Sequence, residues 1–146
     1  MVIPLINLKV LSDFSDVKYL LSECMWSDEE RIHAELIKYL EDDTRELFGR
    51  FFGDELVGLI GTICGSIGES ELKHMAIKPN YRGKGLGRQL IYEYMKTKDL
   101  VKMKAETDKD AVGFYTKLGF SIISLGEKYP GVERFECTLL RHKELS

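Results

Sequence analysis

The sequence predicts an α/β (α+β) fold with a mixed, mostly antiparallel central sheet of about seven strands and helices on both faces. The spacing of the apolar residues indicates elements in the order β-α-α-β-β-β-α-β-α-β-β. The chain has 146 residues, enough for a substantial core, so we assign residues 1–146 to a single domain. Its 44% hydrophobic and 31% charged residues are typical of a soluble globular protein.

The N-terminal half is expected to hold a strand over 4–10, a helix capped by Ser12 or Ser15, a helix opening with the capping box 27–30, and strands over 46–52 and 56–64. A Gly-Asp-Glu hairpin turn separates the last two strands. The apolar residues at helical spacing should face the core: Val17, Leu20, Leu21 and Cys24 in the first helix, and Ile32, Leu36, Ile37 and Leu40 in the second.

The C-terminal half is expected to hold strands over 71–77, 101–106, 120–125 and 133–140, with a helix from a glycine-rich loop to about Lys98 and a short helix between Asp108 and Gly119. Asp108 is suited to capping the short helix at its start, and Gly119 to ending it. The Pro130-Gly131 pair predicts the turn between the last two strands.

A basic, glycine-rich segment joins the strand over 71–77 to the next helix. Residues 78–88 read Lys-Pro-Asn-Tyr-Arg-Gly-Lys-Gly-Leu-Gly-Arg, with four basic side chains, three alternating glycines and no acid. Glycine allows a positive φ and close approach of a ligand to the backbone. The amides and the dipole at a helix N-terminus favour an anion. The segment therefore predicts a phosphate site.

Two common phosphate loops do not fit this segment. A Walker A loop needs Ser or Thr after its Gly-Lys pair, whereas Gly85 follows Lys84 here. The dinucleotide fingerprint needs a third glycine at position 88, which is Arg88.

A third pattern does fit, and a second motif accompanies it. The string Arg82-x-x-Gly85-x-Gly87 resembles the pyrophosphate-binding signature of the GNAT superfamily of acetyl-CoA-dependent N-acetyltransferases, and residues 71–79 resemble its central strand. Residues 111–120, Ala-Val-Gly-Phe-Tyr-Thr-Lys-Leu-Gly-Phe, resemble the second motif of the same family. Together the motifs cover about residues 70–125.

The resemblance implies an N-acetyltransferase that moves an acetyl group from acetyl-CoA to a primary amine by direct transfer in a ternary complex. The amine could belong to a small molecule, a lysine side chain or a protein N-terminus. Two alternatives remain open: a non-catalytic acyl-CoA-binding or sensing module on the same fold, and a nucleotide-binding regulator. Turnover of acetyl-CoA with an amine separates the enzyme from both.

The resemblance also assigns the cofactor-binding residues. The pyrophosphate is expected on the loop, at Arg82, Gly83, Lys84, Gly85, Leu86, Gly87 and Arg88. The pantetheine arm is expected to hydrogen-bond to the backbone of Met75, Ala76 and Ile77. The amide of Ile77 is then the leading donor to the oxyanion of the reaction.

Two catalytic residues are expected by the same resemblance. Tyr115 would protonate the leaving thiolate, because a tyrosine with a pKa of about 10 keeps its proton at neutral pH; the alternative is an aromatic core residue. Glu71 would accept the amine proton through a water, the alternative being an exposed carboxylate near a strand end. His74 is the rival base, although alternation along the strand turns it to the other face.

The resemblance places the acceptor site at the first two helices, the loop between them and the end of the sheet. Trp26 and Glu71 are the expected substrate-binding residues, with Trp26 equally suited to a pocket wall or a core anchor. Acidic residues at 28–30 and 41–43 favour a cationic acceptor, or form a solvated helix face.

Composition excludes several other classes. A net charge of −3 argues against a nucleic-acid binder. No apolar run approaches the roughly 20 residues that span a bilayer, and the start of the chain lacks a signal-peptide pattern. We therefore expect a cytoplasmic protein without membrane contact, with reduced cysteines. The scattered histidines predict no metal site. The oligomeric state stays open, a homodimer being one option.

Overall fold

The computed structural model describes residues 4–25 and 28–142. Its elements are β1 (Ile6–Asn7), α1 (Ser15–Cys24), α2 (Glu29–Glu41), β2 (Arg45–Phe52), β3 (Glu55–Cys64), β4 (Glu69–Ile77), α3 (Leu86–Thr97), β5 (Lys102–Asp108), α4 (Val112–Lys117), β6 (Ser121–Tyr129) and β7 (Val132–Leu140). Short 3₁₀ helices cover Leu8–Val10 and Pro79–Tyr81. The strands form a seven-stranded sheet in the order β1-β2-β3-β4-β5-β7-β6. This confirms the predicted fold class.

The sheet is mixed. Strands β1 and β2, β2 and β3, β5 and β7, and β6 and β7 pair in antiparallel fashion, whereas β4 and β5 are parallel at Glu69–Glu71. The chain divides into two compact units. The first is the described part of Met1–Cys64 with Leu72–Tyr94, and the second is the described part of Gly65–Glu71 with Met95–Ser146.

Helices cover both faces of the strands in the first unit. On one face, α1 and α2 bury an apolar cluster against β2, β3 and β4: Leu8, Val17, Leu20, Leu21, Ile32, Leu36, Tyr39, Leu47, Leu56, Leu59 and Ala76. On the other face, the Tyr94 hydroxyl of α3 lies 2.7 Å from Oγ1 of Thr62 in β3. The period of two along the strands and of 3.6 along the helices makes each element apolar toward its neighbour.

The second unit shows the same alternation in β5. Met103, Ala105 and Thr107 are buried, whereas Lys104 and Glu106 between them are exposed. Strand β6 is an edge strand of the sheet, and nearly all of its residues are exposed.

Several predicted boundaries were wrong because side chains accept hydrogen bonds from nearby backbone amides. The strand expected over 4–10 is confined to Ile6–Asn7, since the Asn7 side chain accepts the Lys9 amide and begins a 3₁₀ turn. Neither Ser12 nor Ser15 caps α1; the cap position is Phe14, and it makes no side-chain hydrogen bond.

Two further caps differ from the predicted ones. Asp28 caps α2 by accepting the Arg31 amide at 2.9 Å; Ser27 lies outside the described residues. Asp108 accepts the amides of Asp110 and Ala111, so it closes the turn before α4, and Ala111 takes the cap position. The predicted helix end at Gly119 and the predicted Pro130-Gly131 turn are confirmed, since both glycines have positive φ, +99° and +80°.

Candidate active site

The loop between β4 and α3 has the backbone that the glycine spacing predicts. Gly83 and Gly85 adopt φ values of +77° and +78°, a region that other residues enter only at a cost. The carbonyl of Gly85 accepts the Gln89 amide at 3.1 Å, so α3 begins at once after it. The first amides of an α-helix have no acceptor within the helix. This end of α3 therefore offers backbone donors to an anion.

The third glycine has another purpose. A Cβ at Gly87 would lie 2.8 Å from Cε of Met75 and 4.0 Å from Cγ1 of Ile77. Glycine at this position lets the first turn of α3 lie against the Met75 side chain, which would have to move to make room for a Cβ. The predicted pantetheine strand and the predicted pyrophosphate loop are thus packed directly on each other.

Arg82 reaches back from the loop to two neighbours. Its Nε donates to the carbonyl oxygen of Ile77 at 2.9 Å, and its Nη2 lies 3.3 Å from a carboxylate oxygen of Glu23 in α1. The side chain of Arg82 is half exposed, so it borders solvent while it is held. It is therefore fixed at the junction of strand, loop and helix.

A second carboxylate fixes the start of the loop. Glu55, which follows the β2–β3 turn, accepts the Lys78 ammonium at 3.1 Å and the Tyr81 hydroxyl at 2.6 Å. The hydrogen bonds from Tyr81 and Lys78 hold the pKa of Glu55 below its ordinary value. The Lys84 ammonium lies 5.6 Å from the centre of the Tyr81 ring. These contacts position the basic groups of the loop before any ligand arrives.

His74, the rival base, belongs to a different environment. Its Nδ1 lies 2.6 Å from the hydroxyl of Tyr39, and its Nε2 lies 4.0 Å from Glu35. Burial lowers the pKa of His74, although the nearby Glu35 acts in the opposite direction. Burial by itself would raise the pKa of Glu35, but the hydrogen bond from Arg45 and the positive neighbours leave it lowered. His74 therefore ties the central strand to α2.

Tyr39 is fully buried and packs on a glycine of β3. A Cβ at Gly61 would lie 2.6 Å from Cζ of the Tyr39 ring, so only glycine permits this packing. The sequence pattern assigned the inner face of α2 to aliphatic residues and missed Tyr39, which lies three residues after the buried Leu36. Its helical spacing was the available signal.

Glu71 lines a cavity in the second unit. The cavity has a volume of about 360 Å³. Its lining is mostly polar: Gly65, Ser66, Glu69, Ser70, Glu71, Lys104, Ala105, Glu106 and Glu136. In the sheet register Glu71 is the partner of Lys104, and Glu106 is the partner of Glu136. Register partners share a face, so each pair presents its side chains together.

The cavity lining is acidic, with four glutamates against one lysine. Lys104 lies 3.6 Å from Glu136, while Lys128 and Arg134, from outside the lining, contact Glu106 at 3.1 and 3.2 Å. The hydrogen bond from Lys128, and that from Arg134, hold the pKa of Glu106 below its ordinary value. Glu106 is thus a carboxylate at neutral pH.

Tyr115 lies in α4, also in the second unit. Its ring makes edge-to-face contacts with Phe114 and Phe120, both with centroids 5.3 Å away. Its carbonyl accepts the amides of Leu118 and Phe120 at the helix end. The side chain is half-buried, which leaves part of it accessible.

Other predicted features have plain outcomes. Trp26 lies outside the described residues. Cys24, Cys64 and Cys137 form no disulfide. Within residues 4–25 and 28–142, no group of His, Cys, Asp and Glu is arranged to hold a metal ion, and no helix has the length and apolarity needed to cross a membrane.

Comparisons with known proteins agree with this geometry. A family profile described as an acetyltransferase (GNAT) domain matches residues 23–122. The chain shares its fold with an acetyltransferase from Thermus thermophilus, at 20% identity over 96% of this chain and 99% of that one, with a TM-score of 0.72.

Two further solved structures are similar. An aminoglycoside 6′-N-acetyltransferase complexed with coenzyme A has 17% identity over 100% of both chains and a TM-score of 0.71. The ribosomal-protein-S18-alanine N-acetyltransferase from Escherichia coli has 16% identity over 97% of both chains and a TM-score of 0.67. Among curated protein sequences, none matches the chain. At these identities the structural likeness concerns the fold.

Proposed function

Because the chain belongs to the GNAT acetyltransferase family, we propose that it transfers an acetyl group from acetyl-CoA to a primary amine by direct attack in a ternary complex. The observation that carries this proposal is the loop at the start of α3. It combines two glycines with positive φ, the amide end of a 12-residue helix and exposed basic side chains at Arg82, Lys84 and Arg88. Such a site suits a pyrophosphate.

The strand that leads into the loop supplies the rest of the cofactor site. In the proposed complex the backbone of Met75, Ala76 and Ile77 hydrogen-bonds to the pantetheine arm. The close approach of Gly87 to the Met75 side chain supports this arrangement, because it brings the start of α3 beside the strand. The Ile77 amide would donate to the thioester oxygen as negative charge develops there.

Two side chains would handle the protons of the reaction. The amine nitrogen forms a bond to the acetyl carbon, and the carbon–sulfur bond breaks. Tyr115 would give its proton to the departing sulfur, and Glu71 would accept the proton of the amine through a water. The partly accessible position of Tyr115 and the cavity beside Glu71 support these roles.

The acceptor is proposed to be a cationic amine. The cavity beside Glu71 carries Glu69, Glu106 and Glu136, and its lining contains only one lysine, Lys104. The ion pairs of these acids are partly exposed, and exposed pairs contribute little free energy, so a cationic ligand can replace them. The fold by itself does not select the acceptor.

Residues 1–146 are proposed to form one catalytic domain that works in the cytoplasm, where its cysteines stay reduced. The test is thiol release from acetyl-CoA across a panel of cationic, neutral and acidic amines, with direct CoA binding measured in parallel. Release with an amine supports the enzyme. CoA binding without release on any amine would favour a sensing module, and no CoA binding would contradict the cofactor site.

A further inference from the structure

Helix α1 contacts both ends of the segment that connects β4 with the glycine loop. The Lys78 ammonium lies 6.0 Å from the centre of the Tyr19 ring, and the Glu23 carboxylate lies 3.3 Å from Nη2 of Arg82. Tyr19 and Glu23 are four residues apart, so they lie on one side of the helix. One face of α1 therefore engages the two cations that flank the 3₁₀ turn Pro79–Tyr81.

The last turn of α1 also reaches the strand before the loop. Burial raises the pKa of the Cys24 thiol to about 11, while a hydrogen bond from the backbone of Met75 acts in the opposite direction. Cys24 is therefore a neutral thiol that packs against β4. Glu23, its neighbour, is the charged contact at this junction.

The geometry of Arg82 makes this contact sensitive to an anion. Its Nε donates to the Ile77 carbonyl, so that donor is already used. Nη2, which lies beside Glu23, is among the donors that an anion could use instead. A pyrophosphate on the loop would attract the guanidinium and repel the Glu23 carboxylate at the same time. Ligand and helix thus compete for one side chain.

We propose that Glu23 is a positioning residue that holds Arg82 before the cofactor binds, and that the pyrophosphate of the cofactor replaces Glu23 on the guanidinium. Binding at the loop thereby frees the Glu23 carboxylate, while the buried Leu20 and Leu21 keep α1 in place. This inference rests on the proposed function only in that a pyrophosphate ligand binds the loop.

The solvent exposure of the Arg82 and Glu23 side chains limits how much their ion pair can change the affinity for the cofactor. The side chains of Arg82 and Glu23 are 50% and 27% exposed, so their ion pair is worth at most about 1 kcal/mol. That free energy corresponds to about a fivefold change in a dissociation constant. The effect should weaken at high salt, because exposed charges are screened.

The test compares Glu23→Gln with the wild-type protein by calorimetric titration with CoA and with pantetheine, which lacks the pyrophosphate. Glu23→Gln should bind CoA about two- to fivefold more tightly, bind pantetheine unchanged, and lose the difference near 1 M NaCl. Glu127→Gln, on the exposed strand β6, removes the same charge elsewhere and should bind both ligands like wild type.

Two variants separate this role from a general structural one. Glu23→Asp keeps the carboxylate and should restore wild-type affinity. The Glu23→Gln change should have no effect on CoA binding in an Arg82→Ala background, because its partner is gone. In turnover, Glu23→Gln should lower the KM for acetyl-CoA and leave kcat unchanged.

Unchanged or weaker CoA binding by Glu23→Gln would overturn the inference. It would leave the proposed function standing as long as the wild-type protein binds CoA. Failure of the wild-type protein to bind CoA would instead contradict the proposed function itself.

Discussion

The hydroxyl of Tyr39 in α2 lies 2.6 Å from Nδ1 of His74 in β4, and this contact ties the helix layer to the central strand. Tyr39 is fully buried, and Gly61 gives it room. In the neutral tautomer with its proton on Nε2, toward Glu35, His74 accepts a hydrogen bond from the Tyr39 hydroxyl at Nδ1. A second proton on the ring would remove the acceptor that Tyr39 uses.

This arrangement predicts a loss of stability in acid. Burial lowers the pKa of His74 in the folded protein below its ordinary 6.5, so the unfolded chain binds the proton first as the pH falls. The free energy of unfolding should therefore decrease as the pH falls from about 6.5 toward the lower folded-state value. Urea unfolding between about pH 5 and pH 7.5 measures it.

The matched variants for this prediction lie on neighbouring elements. His74→Asn removes the titrating ring, so its stability should change less with pH over the same interval than that of the wild type. His33→Asn removes an exposed histidine of α2 and is the control. An equal pH dependence for wild type and His74→Asn would show that His74 does not carry this proton.

Tyr115→Phe is expected to lower kcat about ten- to a thousand-fold, the range for loss of a general acid. The edge-to-face contacts with Phe114 and Phe120 do not need the hydroxyl, so CoA affinity and stability should hardly change. Steady-state turnover with an identified amine, beside CoA titration, measures both quantities. Tyr129→Phe, on the exposed β6, is the control. Wild-type turnover by Tyr115→Phe would assign Tyr115 to packing alone.

Glu71→Gln keeps the shape of the cavity wall and removes one of its four carboxylates. It should raise the KM for cationic amines, because less negative charge attracts them, and leave the KM for neutral amines unchanged. If Glu71 is also the base, the rising limb of the pH–rate profile should move to higher pH. Activity confined to neutral or acidic amines in the wild type would contradict the acceptor class and leave the cofactor site intact.

The sequence alone predicted the glycine loop but not the distant contacts that hold the loop and the central strand in place. Gly83, Gly85 and Gly87 could be recognised because their functions, positive φ and close packing, are local and leave a visible spacing. Glu23 and Arg82 are 59 positions apart in the sequence, and Tyr39 and His74 are 35 positions apart. No local sequence pattern therefore predicts these contacts. They exist only because the tertiary fold brings α1 and α2 onto β4.

Hydrogen bonds from backbone amides to nearby side chains explain the smaller errors in the predicted element boundaries. Asn7, Asp13 and Asp108 have short side chains that accept nearby amides, and they shift or shorten the elements beside them. The strand expected over 101–106 agrees more closely with β5, along which buried and exposed residues alternate as the pleat requires. The acid-lined cavity combines residues from β4, β5 and β7, whose register the sequence does not reveal.

The loop at the start of α3 is proposed to bind the pyrophosphate of CoA. Gly85→Ala and Gly126→Ala place the same methyl group at φ values of +78° and +80° in open space, so both should cost about 1 kcal/mol of stability. Gly85→Ala should weaken CoA binding more than binding of acetyl-pantetheine, which lacks the nucleotide, whereas Gly126→Ala should not. Arg82→Ala should have the same selective effect as Gly85→Ala.

Titration of CoA and acetyl-pantetheine into the wild type, Gly85→Ala and Gly126→Ala is therefore the most direct test. We expect at least a tenfold loss of CoA affinity in Gly85→Ala, or about 1.4 kcal/mol, with wild-type affinity in Gly126→Ala. Equal losses for CoA and acetyl-pantetheine in Gly85→Ala, or no loss for either, would contradict it.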